Sequence, residues 1–402
     1  MSFLNRPRRV WWRRAMFQIH LWVGIVLCLY MLIIGVTGSI LVFEAELERA
    51  AYPQLWRASV GGTVKPSIDF PAVIDKVEKT WPDYQITAAY PPDKPGDNFE
   101  VFIHRGAQFL YVFVDAKTGQ IAGTIDPAHS WVIWIIDLHF RLLAGKTGEI
   151  LNGIGAAFLL LLCLSGIIVW WSGLKRWWHG LTVSFHRNWK RVNYDLHSAV
   201  GFWTLLVLSM WAFSGVYFVW PKPIEAFVNH FSSIASANPP KLVLPKHEQK
   251  IWADLPGMIE QAKQASPGAQ FGGAFFPGQR NGALTLLMAR GPQRRFTQMD
   301  YVYFDPITGR QLAIWHRGVT NTWGSRFIFW LSPLHFGYDF GLAIKILWAV
   351  LGCAMPLLSI TGVLMYWNRT LSKKWRLLRT STSPESSGLE VTRFQPAQEP
   401  GP

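Results

Sequence analysis

The chain has 402 residues, of which 50% are hydrophobic and 15% aromatic, with 22 tryptophans, and only 16% are charged. A soluble domain carries about a quarter charged residues, so the composition excludes an ordinary water-soluble enzyme and points to a membrane protein with polar parts outside the bilayer. The formal charge of +14 sits on short segments flanking apolar runs, which argues against nucleic acid and for anionic lipid head groups.

Residues 1–15 are a basic leader with Arg6, Arg8, Arg9, Arg13 and Arg14. The apolar run 16–43 is long enough to span a bilayer, which takes about 20 helical residues. It is too long for a secretory signal and has no clear small-residue cleavage site, so it reads as an uncleaved anchor. It carries His20-Leu21-Trp22-Val23-Gly24 near its start and Thr37-Gly38 near its end. Residues 44–127 read as a small α+β domain. A helix-like stretch, Pro71 to Thr80, precedes an alternating strand, Tyr111-Val112-Phe113-Val114, that closes on an Asp115-x-x-Thr118-Gly119 turn. Residues 128–149 are rich in Trp and Ile but too short to span. They hold Leu138-His139-Phe140 and read as a helix lying in the interface. A second span, 150–172, contains Ser165-Gly166 and ends on Trp170-Trp171, a pair suited to the membrane boundary.

Residues 173–197 form a basic loop with Lys175, Arg176, Arg187, Lys190 and Arg191, ending at His197. The third span, 198–220, includes Gly201 and Ser214-Gly215. A second α+β domain is expected over 221–319, with a helix-like Leu255 to Ala265 and a strand Tyr301-Val302-Tyr303-Phe304 closing on Asp305-x-x-Thr308-Gly309. Residues 320–341 form a second interfacial segment with Leu334-His335-Phe336, and 342–367 a fourth span with Thr361-Gly362. The tail 368–402 begins with Arg369, Lys373, Lys374, Arg376 and Arg379; its Ser, Pro, Glu and Gln content from about 380 predicts disorder.

The chain thus reads as written twice. His20 to Gly38 and His197 to Gly215 are both separations of 18 residues, and His139 to Gly166 and His335 to Gly362 are both 27. The positive-inside rule places the basic segments and both termini in the cytoplasm and 44–149 and 221–341 outside. Both halves then share one membrane orientation, and a pseudo-two-fold along the membrane normal relates them. The expected fold is a membrane α+β protein: a four-transmembrane-helix core from a parallel internal repeat, with two α+β domains outside.

Histidine at membrane depth is costly and marks function. Two symmetric pairs, His20 with His197 and His139 with His335, call for a ligand that takes opposed imidazoles, and haem is the leading candidate, two per chain. Gly24 and Gly201 lie one turn from His20 and His197 and would let a flat macrocycle approach the backbone. The alternative is that these are interfacial histidines satisfied by water or lipid phosphate, and that Leu-His-Phe anchors a helix or shuttles protons. The Thr/Ser-Gly pairs read first as helix-packing positions. His179 and His186 belong to the basic loop. His104, His129, His230, His247 and His316 form no metal-ligand spacing. Cys28, Cys163 and Cys353 are single residues in apolar helices, without a disulfide framework. The second outer domain carries Arg290, Arg294 and Arg295, which either complement its acidic counterpart or attract an anion. No dinucleotide fingerprint, P-loop or nucleophile motif is present, so electrons must come from a partner, a quinol or a flavoprotein.

The Tyr-x-x-x-Asp-x-x-Thr-Gly strands, the membrane His-x-x-x-Gly helices and the Leu-His-Phe segments resemble the PepSY-associated transmembrane family, and within it the ferrioxamine-type siderophore reductases of the bacterial inner membrane. The resemblance covers about residues 10 to 375. It implies a four-helix core with haem b, two periplasmic PepSY-like domains, and reduction of a ferric siderophore that releases its iron. Internal duplication is also compatible with a siderophore or peptide permease, and the outer domains with a membrane-anchored peptide-binding or regulatory protein; the symmetric histidines favour the reductase.

Overall fold

The computed structural model describes residues 7, 10–59, 68–234, 240, 242, 254–277, 282–290, 299–316, 322–337 and 340–372. Arg6, Arg8, Arg9, His247, Arg294, Arg295, Arg317 and the tail from Lys373 lie outside these residues.

The first half runs α1 (Trp11–Leu41), α2 (Glu44–Ala51), α3 (Pro53–Trp56), α4 (Phe70–Thr80), β1 (Gln85–Tyr90), β2 (Phe99–Arg105), β3 (Gln108–Val114), β4 (Ile121–Ile125), α5 (Trp131–Arg141) and α6 (Gly145–Trp170). The second half runs α7 (Trp189–Val219), α8 (Pro221–Phe231), α9 (Leu255–Ala265), β5 (Gln270–Phe275), β6 (Leu284–Ala289), β7 (Met299–Phe304), β8 (Gln311–His316), α10 (Trp323–Phe336), α11 (Leu342–Gly352) and α12 (Ala354–Tyr366). Four helical stretches, Trp11–Leu41, Gly145–Trp170, Trp189–Val219 and Leu342–Leu371, are long and apolar enough to cross a membrane.

Side-chain caps set many helix starts. Asp69, Ser130, Asn188, Asp254 and Thr322 each accept a backbone N–H from the first turn of α4, α5, α7, α9 and α10. The Asn188 cap starts the third membrane helix nine residues ahead of the expected span, so His197 sits more than two turns inside it rather than at its mouth. The fourth span, read from the sequence as one helix, is interrupted at Cys353. Pro356 has no N–H to give the carbonyl of Gly352, four residues earlier, so the run of helical hydrogen bonds is broken there.

Helix α1 packs against α6 and α12, and α7 packs against the same two helices, so α1 and α7 stand at opposite corners of a four-helix core. Its centre is filled by Leu27 and Met31 of α1, Leu159, Leu162 and Cys163 of α6, Leu208 and Ala212 of α7, and Met355 and Leu358 of α12. Small residues let the backbones approach: a Cβ on Gly35 would fall 2.5 Å from Pro356, and one on Gly155 would fall 2.5 Å from the Tyr30 ring.

The strands form one eight-stranded antiparallel sheet in the order β4-β3-β2-β1-β5-β6-β7-β8. The two four-stranded meanders expected as separate domains are joined edge to edge, Ala88 opposite Phe275 and Ala89 opposite Ala274. The join removes two free edges that would otherwise invite foreign strands. Gly273, at φ +141, permits it, because a Cβ there would lie 2.7 Å from the Ala89 carbonyl oxygen. One face of the sheet carries a single apolar core under α4 and α9, including Val73, Ile74, Val101, Met258, Leu286 and Phe304. The other face is rich in aromatic side chains, among them Tyr90, Phe102, Phe275, Tyr301 and Trp315.

The two Asp-x-x-Thr-Gly motifs are turn devices. Asp115 Oδ1 accepts the N–H groups of Lys117 and Thr118, and Asp305 Oδ1 those of Ile307 and Thr308. Gly119 and Gly309 follow at φ +67 and +69, the left-handed region glycine tolerates. Burial opposes ionisation of both aspartates, yet these hydrogen bonds, with those from Ser59 to Asp115, hold both carboxyls below the usual range.

Candidate functional site: two levels of paired histidine

The four membrane-associated histidines are each built the same way. His139 of α5 meets Thr37 of α1, His20 of α1 meets Ser165 of α6, His335 of α10 meets Ser214 of α7, and His197 of α7 meets Thr361 of α12. In every case the imidazole Nδ1 and the hydroxyl oxygen are the bonded atoms, at 2.8, 3.1, 2.7 and 2.9 Å. Each hydroxyl also donates to the carbonyl four residues earlier in its own helix: Thr37 to Ile33, Ser165 to Leu161, Ser214 to Met210, Thr361 to Leu357, all at 2.7 or 2.8 Å.

The tautomer follows. A hydroxyl has one hydrogen. With that hydrogen given to the helix carbonyl, the oxygen accepts from Nδ1–H, so the proton of the neutral imidazole sits on Nδ1 and the lone pair on Nε2. This is how proteins orient a metal-ligating histidine: the second ring nitrogen donates to an outer partner, which fixes both tautomer and ring direction.

His20 and His197 come from diagonal helices and meet at the bundle axis, with ring centroids 6.3 Å apart and planes at 87°. A metal–imidazole bond is about 2 Å, so an ion held between two opposed rings separates their centres by about 6 Å. His139 and His335 lie toward the sheet. Their neighbours Phe140 and Phe336 stack on each other at 6.1 Å and 19°, and Phe218 stacks on Phe336 at 5.5 Å. Thr37 and Ser214 are each 17 residues beyond His20 and His197, about 25 Å along a helix, so the two levels sit at opposite ends of the core.

The donor set is specific. Among the described residues, no group of three or more His, Cys, Asp or Glu side chains could hold a metal ion. An ion taken by two imidazoles alone needs its other positions filled by the ligand itself, as a porphyrin does. The residues present fit that group.

The glycines of these helices fall into two groups. Gly38, Gly166 and Gly362, each following its hydroxyl residue, lie against the imidazoles of His139, His20 and His197: a Cβ there would meet Cε1 at 3.0, 3.3 and 3.4 Å. Gly215 faces Ala156 instead. Gly24 and Gly201 look onto Leu162 and Leu358 at 3.8 and 3.6 Å, positions of helix contact.

Three residues absent from the sequence reading support the site. Asn152 donates to the carbonyls of His139 and Phe140 at 2.8 and 3.1 Å and accepts from Tyr30 at 2.9 Å, tying down the C-terminal end of α5. Asn193 donates to the carbonyl of Thr361, the residue that holds His197. No motif announced them. The one usable signal was the recurrence of Thr/Ser-Gly at fixed distance from each histidine.

A profile for the PepSY-associated TM region matches residues 17–369. The chain belongs to that family. The match takes in all four histidines and their hydroxyl partners, so the paired-imidazole geometry lies within the PepSY-associated TM region. No curated protein matches the chain.

Three histidines outside this core in the PepSY-associated TM protein, His104, His129 and His316, have local partners. His129 Nδ1 meets Asp126 at 2.9 Å, and His104 stacks on Phe109. His316 and Arg290 both bond Asp300, whose side chain is 1% exposed. Burial resists ionisation of Asp300, but its Arg290 and His316 partners prevail and lower its pKa. Arg290 thus serves a carboxylate of its own strand layer.

Proposed function

We propose that the protein is a transmembrane reductase of the bacterial inner membrane. It would bind two b-type haems and carry electrons from a quinol or flavoprotein on the cytoplasmic side to a ferric siderophore in the periplasm. The observation that carries this reading is the fourfold Nδ1–hydroxyl arrangement, which leaves four Nε2 lone pairs at two levels. Haem bound there would supply reversible one-electron chemistry without open coordination positions.

The chain's own part is positional. His20 and His197 would fix one ring plane near the donor side, with Ser165 and Thr361 holding their tautomers. His139 and His335 would do the same near the sheet, with Thr37 and Ser214. The apolar layer of Leu27, Met31, Leu159, Leu208 and Met355 between the levels excludes water, which favours electron over proton movement across the core. Each electron delivered converts one Fe(III) in the chelate to Fe(II), and hard oxygen ligands hold the divalent ion less tightly. No side chain of the protein need act as acid or base in that step.

Purified protein tests the reading. A reduced spectrum with the sharp α-band of low-spin bis-imidazole haem, at about two haems per chain, is the expected result. A colourless, folded preparation that takes up no added haemin removes it.

A further inference from the structure

The loop joining α6 to α7 belongs to neither the histidine core nor the sheet. From Trp171 to Lys190 it has no Asp or Glu, and it carries Lys175, Arg176, Arg187 and Lys190. These four side chains are exposed. Among the described residues none of them forms an ion pair, whereas the next cation, Arg191, is taken by Asp195 at 2.9 Å. The same loop exposes Leu174, Trp177, Trp178 and Phe185, and Trp189 of α7 follows. A contiguous apolar surface rimmed by charge marks a place of contact.

The loop does not hang below the bundle; it folds back along the flank. A short 3-10 turn, Trp177–Gly180, brings the Gly180 carbonyl to Trp170 Nε1 of α6 at 3.2 Å and to Ser198 Oγ of α7 at 3.3 Å. The Leu181 carbonyl accepts from Trp203 Nε1 of α7 at 3.0 Å. Gly180 permits the approach, because a Cβ there would fall 2.6 Å from Trp170 Nε1. Ser198 follows His197 in the chain, so the turn stands level with the His20–His197 pair. Trp203 lies within a membrane span and is 66% exposed, so its ring faces lipid. The turn it holds therefore lies where head groups meet acyl chains, the layer in which Trp, Lys and Arg settle.

We infer that this loop is an interfacial wedge that binds anionic phospholipid in preference to zwitterionic lipid. Leu174, Trp177, Trp178 and Phe185 enter the head-group boundary, and Lys175, Arg176, Arg187 and Lys190 take lipid phosphates. Apolar area sets the depth of such a segment and its charge sets the lipid it prefers. Cations with no carboxylate among them attract an anionic leaflet, each adding to the pull. Position argues for lipid over a soluble polyanion: an acidic protein would have to displace lipid from the flank of α6 and α7 to reach the turn. The inference needs only the membrane spans and rests neither on haem nor on reduction.

Native mass spectrometry of the full chain in nonionic detergent tests it. The probes are phosphatidylglycerol and phosphatidylcholine with identical acyl chains, and occupancy gives both Kd values. Phosphatidylglycerol should bind about tenfold more tightly. Lys175→Gln with Arg176→Gln should cut that preference to about threefold, and replacing all four loop cations should abolish it, with phosphatidylcholine binding unchanged. Arg141→Gln with Lys146→Gln removes the same charge at the other end of the core and should leave the preference intact. Trp203→Phe keeps an aromatic ring but frees the Leu181 carbonyl, and should weaken the preference with every cation in place. All the substituted side chains are exposed. Equal affinities in the unsubstituted protein, or a preference that survives loss of the four loop cations, overturns the inference. An equal fall in both charge pairs, or no change in Trp203→Phe, does the same, since net charge alone would then be at work.

Discussion

His20 and His197 face one another across the bundle axis with ring centroids 6.3 Å apart, although they lie on helices that do not neighbour each other. Their meeting is a consequence of the diagonal placement of α1 and α7, with α6 and α12 between them supplying Ser165 and Thr361. Every imidazole is thus held by a helix other than its own.

Removing one ring of a pair should empty one level only. His20→Ala is expected to lower the haem content from about two to about one per chain, and His139→Ala likewise, with the double variant near zero. Pyridine haemochrome quantitation against protein mass reads this directly. A full haem load in both single variants would show that the axial ligands lie elsewhere.

The hydroxyl partners should tune rather than abolish binding. Thr361→Val keeps the shape but leaves the Nδ1–H of His197 without its acceptor. Loss of an outer-shell partner of this kind typically costs 10–100-fold in metal affinity. Thr361→Ser should restore the bond. The midpoint potential of one haem should move in the valine variant and return in the serine variant; an unmoved potential in both would make the hydroxyl a packing feature only.

Much of this was legible in the chain. The four spans, the paired histidines and the repeated turns follow from composition and spacing, because apolar length and fixed offsets are one-dimensional quantities. What was not legible depends on which helices become neighbours. Thr37, Ser165, Ser214 and Thr361 read as packing residues, since nothing in sequence says that a hydroxyl in one helix faces a histidine from another. Gly24 and Gly201 share a face with their histidines by periodicity, and that Leu162 and Leu358 are their neighbours emerges only from the helix packing. Two meanders with equivalent edges could stand apart or join; Gly273 beside Ala89 decides for joining, and its role appears only once the strands are in register. The break at Cys353 was foreshadowed by Pro356 but hidden by the hydrophobicity around it.

The end of α5 is held by Asn152, itself bonded to Tyr30, whose ring lies against Gly155. Gly155→Val would drive a side chain into that ring and should cost about 1–3 kcal/mol as overpacking. Its effect should reach His139 before His20. Thermal unfolding in detergent should fall, and the sheet-side haem should be lost first on dilution. Asn152→Leu, which removes the clamp without a clash, should release the same haem with a smaller change in stability. Equal loss of both haems in the two variants would separate Asn152 from His139.

Glu48 should give the fold a pH dependence of unusual sign. Its carboxyl is pushed up to about 7 in the folded chain, by burial first and then by Glu44 and Glu100, against about 4.3 for an unperturbed glutamate. Between those values the unfolded chain has released the proton and the folded chain still holds it, so folding takes up a proton. Stability contributed by this group is therefore full below about pH 4, declines as pH rises toward about 7, and is flat above. Asp300 acts oppositely: its lowered pKa contributes stability above about pH 4 that is lost on acidification. Glu48→Gln removes the first dependence and leaves the second, so the substituted protein should gain thermal stability at pH 7.5 relative to the parent and show no gain at pH 4.5. A gain of equal size at both pH values would mean that the carboxyl is not held protonated by its surroundings.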